Sequence, residues 1–285
     1  MSLDNYIYFQ PKFTTIPHRG RTMFQFDDTL RYGMPPHFGG FPYTLSYGNL
    51  VYEDCTSLSI NYKTDRDSLE QYIPDVFELL RPEVSASSNS AHGVDWMGGG
   101  HYSCIAFLAP VRHRKTGIEG SYVLVLWEDS AYPILGGRED TGMPKIFCDI
   151  GEYTKFGTHA ALSGSYNGRN FVDLEIEIQK EFTKEEVTEF GPQKINQFGW
   201  RYIGKFRKPG AEISEPTMYP CEMYPTAVAS GAGKITWTKP TYQQYPMQAH
   251  IIDCLANLPV LEYTGPAIYM KYKQILRGDL AQVLE

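Results

Sequence analysis

Along several stretches of this chain, hydrophobic and polar residues alternate with a period of two, which is typical of strands with one buried face. The clearest stretch is residues 172–178, where Val, Leu and Ile alternate with Asp and Glu. Residues 58–62 alternate in the same way, and residues 122–127 are apolar throughout, which predicts a strand buried on both faces. Further strands are predicted at residues 102–108, 198–206 and 234–238.

Helical signals are fewer, and they lie between or after the predicted strands. Thr64 has the sequence context of a helix N-cap, and Pro74 ends the short helix that follows. Thr183 and Glu186 have the spacing of a capping box. From Pro266 onwards apolar residues recur at helical spacing, which predicts a C-terminal amphipathic helix.

Composition favours strands and turns over long helices. The chain has 285 residues, with 26 glycines, 19 prolines and 21 tyrosines. Many turn-forming and aromatic residues favour short strands joined by tight turns, which argues against a coiled coil, a helix bundle or a repeat solenoid. The predicted fold class is therefore β-rich α+β with a few peripheral helices.

The chain divides into an arm and one domain. Residues 1–50 are rich in proline, glycine and aromatic residues, which predicts an irregular N-terminal arm. Residues 51–285 show no further boundary and no repeat, so they are predicted to form a single domain. Within it, the small polar residues 85–91 (Ser-Ala-Ser-Ser-Asn-Ser-Ala) predict a mobile surface loop.

Charge and cysteine usage exclude several classes of protein. The formal net charge is −7, and the densest basic stretch, residues 112–115, is typical of an exposed hairpin tip. We therefore expect no nucleic-acid partner. No apolar run is long enough to cross a membrane, and the N-terminus does not resemble a signal peptide. The five cysteines lack a CxxC pair, which indicates reduced thiols in a cytoplasmic protein without a metal site. Dinucleotide, P-loop, zinc-protease and serine-hydrolase motifs are absent from the sequence.

One segment carries candidate chemistry. Residues 132–149 contain a glycine pair, then Arg138 and Glu139, and then Lys145 among apolar neighbours. A lysine in this context has two interpretations. Its stem can pack while the ammonium reaches water. Alternatively, burial of a lysine disfavours the ammonium form, lowers the pKa and leaves a neutral amine that forms a Schiff base with a ketone.

The motif Gly137-Arg138-Glu139, followed by Met143-Pro144-Lys145, resembles the signature of the acetoacetate decarboxylase family. The likeness is strong over about residues 122–149, and it is weaker but collinear over much of residues 57–284, including 60–65 and 258–260. The resemblance implies the family fold, a β-cone or barrel wrapped by further strands, with a closed apolar pocket and a homo-oligomeric state. It also implies that Lys145 forms the Schiff base, and that the reaction is decarboxylation of a β-keto acid or a related small oxo acid, without a cofactor.

Three positions depart from the family pattern. The family decarboxylase has a second lysine directly after the nucleophile, whereas this chain has Ile146. The resemblance places Cys104 where the family has a pocket glutamate and Cys55 where it has a pocket arginine. These departures keep two alternatives open. One is a Schiff-base aldolase or dehydratase, and the other is a catalytically silent protein that binds a small hydrophobic ligand.

Further candidates surround the lysine. Arg138 and Glu139 are predicted either to orient the substrate or to form a structural ion pair. His101 is a candidate general acid or base, with a hydrogen-bonded structural role as the alternative. Cys104 and Met143 are predicted to line or support the pocket. A catalytic role requires the amine of Lys145 inside the pocket with its ammonium form disfavoured, whereas a binding protein tolerates an exposed amine or one paired with a carboxylate.

Overall fold

A computed structural model describes residues 25–26, 32–38 and 48–285 of the chain. Most of the predicted N-terminal arm, residues 1–50, therefore lies outside the described residues. Residues 49–285 form one compact unit. None of the helices in the described part of the chain is both long enough and apolar enough to span a membrane.

Strands dominate the described residues, and they are labelled here in chain order. The strands are β1 Leu50–Lys63, β2 Phe77–Leu79, β3 Glu83–Val94, β4 Gly100–His113, β5 Glu119–Glu128, β6 Lys145–Phe147, β7 Asp149–Ile150, β8 Thr154–Phe156, β9 His159–Tyr166, β10 Arg169–Glu181, β11 Gln193–Gly204, β12 Ala211–Trp237, β13 Glu262–Tyr263, β14 Ala267–Leu276 and β15 Gln282–Val283. The α-helices are α1 Arg66–Glu70, α2 Ala131–Glu139, α3 Lys184–Phe190 and α4 Ala249–Ala256, and 3₁₀ helices cover Pro36–Phe38, Asp95–Met97 and Gly278–Leu280. This composition confirms the β-rich fold class with a few helices.

The strands of the described residues belong to one sheet. Its main path runs β11-β5-β4-β3-β1-β14-β12-β10-β9-β7. The long strand β12 pairs with β14 and β10 and also, through its first half, with β11. The seven strands from β11 to β12 on this path therefore form a closed circuit of pairings. The inward faces of this circuit build the cavity described below.

The main core lies on the opposite side of these strands from the cavity. In β10 the four apolar residues of the predicted alternation are buried, as the period-two pattern requires. Trp127 of β5 is fully buried and packs against Phe107 and Phe171. Its indole Nε1 donates to Oε1 of Gln248 at 2.8 Å, so the polar edge of this large side chain is satisfied.

Two predictions of local structure are wrong. Residues 85–91 do not form a surface loop but lie in β3, paired with β1 on one side and β4 on the other. The C-terminal segment from Pro266 is not a helix, because Ala267–Leu276 forms β14 between β1 and β12. In both cases pairing with strands distant in sequence overrides the local pattern, since a strand's environment depends on its neighbours.

Other local predictions fare better. Thr183 and Glu186 form the complete capping box at the start of α3. The N-cap of α1 is Asp65, one residue after the predicted Thr64, and its carboxylate accepts from the backbone N–H of Ser68 at 2.9 Å. Of the predicted hairpin tip, residues 112–115, the first two end β4 and the last two lie in the turn between β4 and β5.

Candidate active site

Lys145 and Glu128 form a buried ion pair at the edge of the cavity. The amine Nζ of Lys145 lies 2.8 Å from Oε1 of Glu128. The lysine side chain is 11% exposed and the glutamate side chain 1% exposed. The strand β6 pairs in parallel with β5 and sets Lys145 opposite Leu126, two residues before Glu128. Because residues two apart on a strand share a face, the two side chains project to the same side of the sheet.

Burial and the ion pair act on the Glu128 carboxyl in opposite directions. Burial raises the pKa of the Glu128 carboxyl above its ordinary value, against the opposing effect of the nearby Lys145. The second carboxylate oxygen, Oε2, is buried and has no hydrogen-bond partner among the described residues. A carboxylate with a raised pKa at 2.8 Å from an amine is placed to take a proton from the ammonium, which would leave a neutral nucleophile.

The loop between α2 and β6 holds Lys145 by backbone contacts. The backbone N–H of Met143 donates to the carbonyl of Gly137 at 2.9 Å, and Oγ1 of Thr141 donates to the same carbonyl at 2.9 Å. Gly142 has φ +72°, and its carbonyl accepts from the backbone N–H of Trp200 at 2.9 Å. A Cβ at Gly142 would lie 2.6 Å from the backbone nitrogen of the next β11 residue, so glycine is required there.

The cavity has a volume of about 230 Å³. Its lining comes from β1, β3, β4, β5, β6, β11, β12, β14 and the loop before β6. The resemblance implied an apolar pocket, but eight serine, asparagine and glutamine side chains contribute to the lining beside apolar ones such as Leu108 and Leu126. Three of the eight belong to β3, because small polar residues that were expected in a loop occupy the inward face of a central strand. The other five come from β1, β5, β11 and β14.

The structure brings only some of the sequence candidates to this cavity. Lys145, Met143 and Cys104 line it. Arg138 and Glu139 do not, and among the described residues they form no ion pair with each other. Instead, the Arg138 guanidinium donates to the carbonyl of Lys145 at 3.3 Å, which supports the backbone of the lysine rather than its amine.

Two further candidates, Glu139 and His101, do not line the cavity. Glu139 is exposed, and its backbone carbonyl accepts from Nε of Arg201 at 2.7 Å. His101 is also exposed and stacks on His92, with the ring centroids 5.4 Å apart. Burial raises the pKa of the Cys104 thiol well above its ordinary value, so this side chain stays protonated.

Sequence reasoning did not single out Glu128 as a site residue. The family resemblance drew attention to position 104, where this chain has cysteine, and Glu128 is the direct cross-strand neighbour of Cys104. Cross-strand neighbours have Cβ atoms about 5 Å apart, so a carboxylate from β5 reaches the space that one from β4 would occupy. The signal present in the sequence was an acid at the end of an apolar strand, next to Asp129.

Comparison with known proteins identifies the class of this fold and site. The family model for acetoacetate decarboxylase (ADC) matches residues 34–283. The chain therefore belongs to the acetoacetate decarboxylase family.

Curated relatives match a smaller part of the chain. An acetoacetate decarboxylase from Burkholderia ambifaria is 32% identical over 114 residues, which are 40% of this chain and 43% of that protein. One from Paraburkholderia phytofirmans is 35% identical over 88 residues, 31% of this chain and 33% of that protein. These alignments span less than half the length of the relatives.

Solved structures extend the likeness of fold to most of the chain. Acetoacetate decarboxylase from Legionella pneumophila superposes with a TM-score of 0.68 at 19% identity, covering 84% of this chain and 88% of that one. The enduracididine biosynthesis enzyme MppR, complexed with pyruvate, superposes with a TM-score of 0.67 at 15% identity, covering 90% of this chain and 98% of that one. At these identities the likeness establishes the fold.

Proposed function

We propose that this protein is an imine-forming lyase in which Lys145 condenses with the carbonyl group of a small oxo compound. The observation that carries the proposal is the Lys145–Glu128 pair, with Nζ 2.8 Å from Oε1, on the wall of the cavity. A binding protein would also tolerate a lysine paired with a carboxylate. Here, however, both partners are buried, so the amine lies on the cavity wall with a carboxyl group in reach that can accept and return a proton.

The first half of the reaction uses both residues. The ammonium of Lys145 transfers a proton to Glu128, and the neutral amine adds to the carbonyl carbon of the substrate. The protonated Glu128 returns the proton as the carbinolamine hydroxyl leaves as water. The product is an iminium ion, which withdraws electrons from the neighbouring carbon.

The second half breaks a bond whose electron pair flows into the iminium. From a β-keto acid the bond to the carboxylate breaks, CO₂ leaves and an enamine remains. Protonation of the enamine and hydrolysis of the imine then free the product and Lys145. This decarboxylation is the reaction predicted from the sequence, and curated relatives named acetoacetate decarboxylase support it.

Aldol cleavage or dehydration uses the same iminium and forms the alternative. MppR, a structural neighbour, has been solved with pyruvate and with the condensation product of pyruvate and imidazole 4-carboxaldehyde. Both molecules belong to the chemistry of small carbonyl compounds, which supports imine formation as the step common to the two reactions. The homo-oligomeric state and the cytoplasmic location stay predictions.

Borohydride trapping tests the proposal. The protein is incubated with a panel of ketones, aldehydes and keto acids, reduced with borohydride and analysed by peptide mass spectrometry. We expect Lys145 to gain the mass of the carbonyl compound less one oxygen atom. The adduct should be absent in Lys145→Ala and unchanged in Lys208→Ala, a variant of an exposed lysine. A folded protein that gives no adduct with any carbonyl compound would refute the imine mechanism, and CO₂ release separates decarboxylation from the alternatives.

A further inference from the structure

One wall of the cavity is made of short polar side chains on two adjacent strands. This serine wall consists of Ser57 and Ser59 on β1 with Ser85, Ser87 and Asn89 on β3. The register pairs Ser59 with Ser87 and Ser57 with Asn89, so the side chains form a continuous polar surface. The hydroxyl oxygens of Ser59 and Ser87 are 3.3 Å apart, within hydrogen-bond distance.

The opposite face of β3 is apolar at its first two positions, Val84 and Ala86, and carries the buried serines Ser88 and Ser90 further along. Val84 and Ala86, which alternate with Ser85 and Ser87, are fully buried in the main core. The side chains of Ser85 and Ser87 instead keep partial exposure, because they border the cavity. Hydroxyl groups both donate and accept hydrogen bonds, so the wall suits a ligand that does the same.

The charge of the cavity disfavours an anionic ligand. Among the described residues, the charged side chains that line it are Glu128 and Lys145, and their formal charges cancel. No arginine or histidine side chain of the described residues contributes to the lining. A substrate carboxylate would therefore add a negative charge near Glu128 without a cation of its own, and burying an unpaired charge is costly.

Two buried acceptor atoms without a hydrogen-bond partner among the described residues also favour a ligand with hydroxyl groups over one with a carboxylate. Oε2 of Glu128 is buried without a hydrogen-bond partner, and so is Oδ1 of Asn89. Both atoms belong to side chains that line the cavity, and both are acceptors. Both atoms are closed to solvent in this structure, so a ligand reaches them once the side chain turns towards the cavity. A ligand hydroxyl then supplies the donor that they lack, whereas a carboxylate brings only more acceptors. Buried polar atoms in proteins are nearly always paired, which makes these two informative.

We propose that the cavity takes a neutral carbonyl compound that carries hydroxyl groups, such as a short hydroxyketone or hydroxyaldehyde, with its hydroxyls against the serine wall. This inference rests on the proposed function, because the carbonyl group must reach Lys145. At about 30 Å³ per water molecule, the 230 Å³ cavity has room for roughly seven or eight water molecules. The ligand must therefore be small.

The substrate class selects the bond that breaks. A neutral hydroxyketone has no carboxylate to lose, so the iminium of a β-hydroxy compound undergoes retro-aldol cleavage. The hydroxyl proton passes to Glu128, the bond between the α and β carbons breaks, and an aldehyde leaves. The electron pair stays on the α carbon as an enamine. This enamine takes a proton, and hydrolysis then frees Lys145, so no oxidant or reductant is needed.

Matched pairs of carbonyl compounds test the substrate class by borohydride trapping on the full chain. Hydroxyacetone is compared with pyruvate, and 4-hydroxy-2-butanone with acetoacetate, since each pair differs in a hydroxymethyl group against a carboxylate. We expect the half-saturating concentration for labelling Lys145 to be at least tenfold lower for the neutral member of each pair than for the keto acid. Equal or tighter labelling by the keto acids would overturn the substrate class while leaving the imine mechanism standing. No labelling by any compound would refute both.

Variants of the wall test where the hydroxyl groups bind. Ser59→Ala with Ser87→Ala removes both members of one hydrogen-bonded pair, so neither is left unpaired. We expect the half-saturating concentration of 4-hydroxy-2-butanone to rise about tenfold, the value for roughly one net hydrogen bond. Labelling by acetone, which lacks a hydroxyl, should not change. Ser230→Ala, in a half-buried strand serine outside the lining, is the control. An unchanged value for the hydroxyketone in the double variant would refute the role of the wall.

Discussion

The side chain of Lys145 lies directly across Gly137, the first residue of the Gly-Arg-Glu motif. A Cβ atom on Gly137 would be 2.4 Å from both Cδ and Cε of Lys145 and 2.9 Å from Nζ. The glycine thus provides the space through which the lysine reaches Glu128. The spacing between glycine and lysine in the motif has a steric explanation, because α2 packs its last turn against the start of β6.

Gly137→Ala is expected to displace the amine without unfolding the protein. The clash involves the flexible end of a lysine side chain, which can move away, so the cost to stability is small. The amine then leaves its position beside Glu128, and we expect the rate of imine trapping to fall at least about tenfold. Gly136→Ala is the matched control, since a Cβ there meets no atom within 4 Å. Gly136→Ala should trap carbonyl compounds at the wild-type rate and increase the free energy of unfolding by up to about 1 kcal/mol. Equal rates in both variants would contradict the steric role of Gly137.

Glu128→Gln is expected to slow imine trapping on Lys145. Glutamine keeps the shape of the side chain but removes the carboxylate that takes the ammonium proton and returns it to the leaving hydroxyl. The rate of trapping, measured with the same carbonyl compound in both proteins, should therefore fall at least about tenfold. Glu185→Gln, an exposed change on α3, should keep the wild-type rate. A wild-type rate in Glu128→Gln would contradict the role of Glu128 in proton transfer.

The cross-strand relation between Cys104 and Glu128 predicts a compensating exchange. Cys104→Glu alone sets two carboxylates at directly opposed positions of β4 and β5, which is destabilising. Glu128→Cys alone leaves the buried amine without its carboxylate. The double variant returns one carboxylate to the site, now on β4. We expect the midpoint temperature of unfolding and the rate of imine trapping to recover towards the wild type, with a coupling energy of about 1 kcal/mol or more. Strictly additive effects would refute the exchange.

His113 is expected to make stability depend on pH. Burial, with a smaller effect of Lys115, lowers the pKa of His113 below its ordinary value of 6.5. The unfolded chain then binds a proton at this position more readily than the folded one, so the stabilisation is present above pH 6.5 and is lost as the pH falls. The free energy of unfolding is measured in urea at about pH 7.5 and about pH 5.5. It should fall more between the two in the wild type than in His113→Gln, in which residue 113 does not titrate. Equal losses in the two proteins would contradict this assignment.

Local sequence was sufficient for the features that depend on neighbouring residues. The capping box of Thr183 and Glu186 needs only four residues, and the alternation of residues 172–178 follows from one strand lying between core and solvent. The motif that ends in Lys145 is also local. It identified the amine on which the proposed chemistry depends, and the family match over residues 34–283 agrees with the family that the motif indicated.

Tertiary structure decided the surroundings of that amine. Glu128 lies seventeen positions before Lys145, and only the parallel pairing of β6 with β5 brings the two together. In the same way, the serines of β3 line the cavity because β1 and β4 pair with that strand from both sides. The sequence alone determined which residue could be the nucleophile. The partner, the polarity of the cavity and the strand character of β14 depended on long-range pairing, because backbone hydrogen bonds between distant strands set which face of each strand is enclosed.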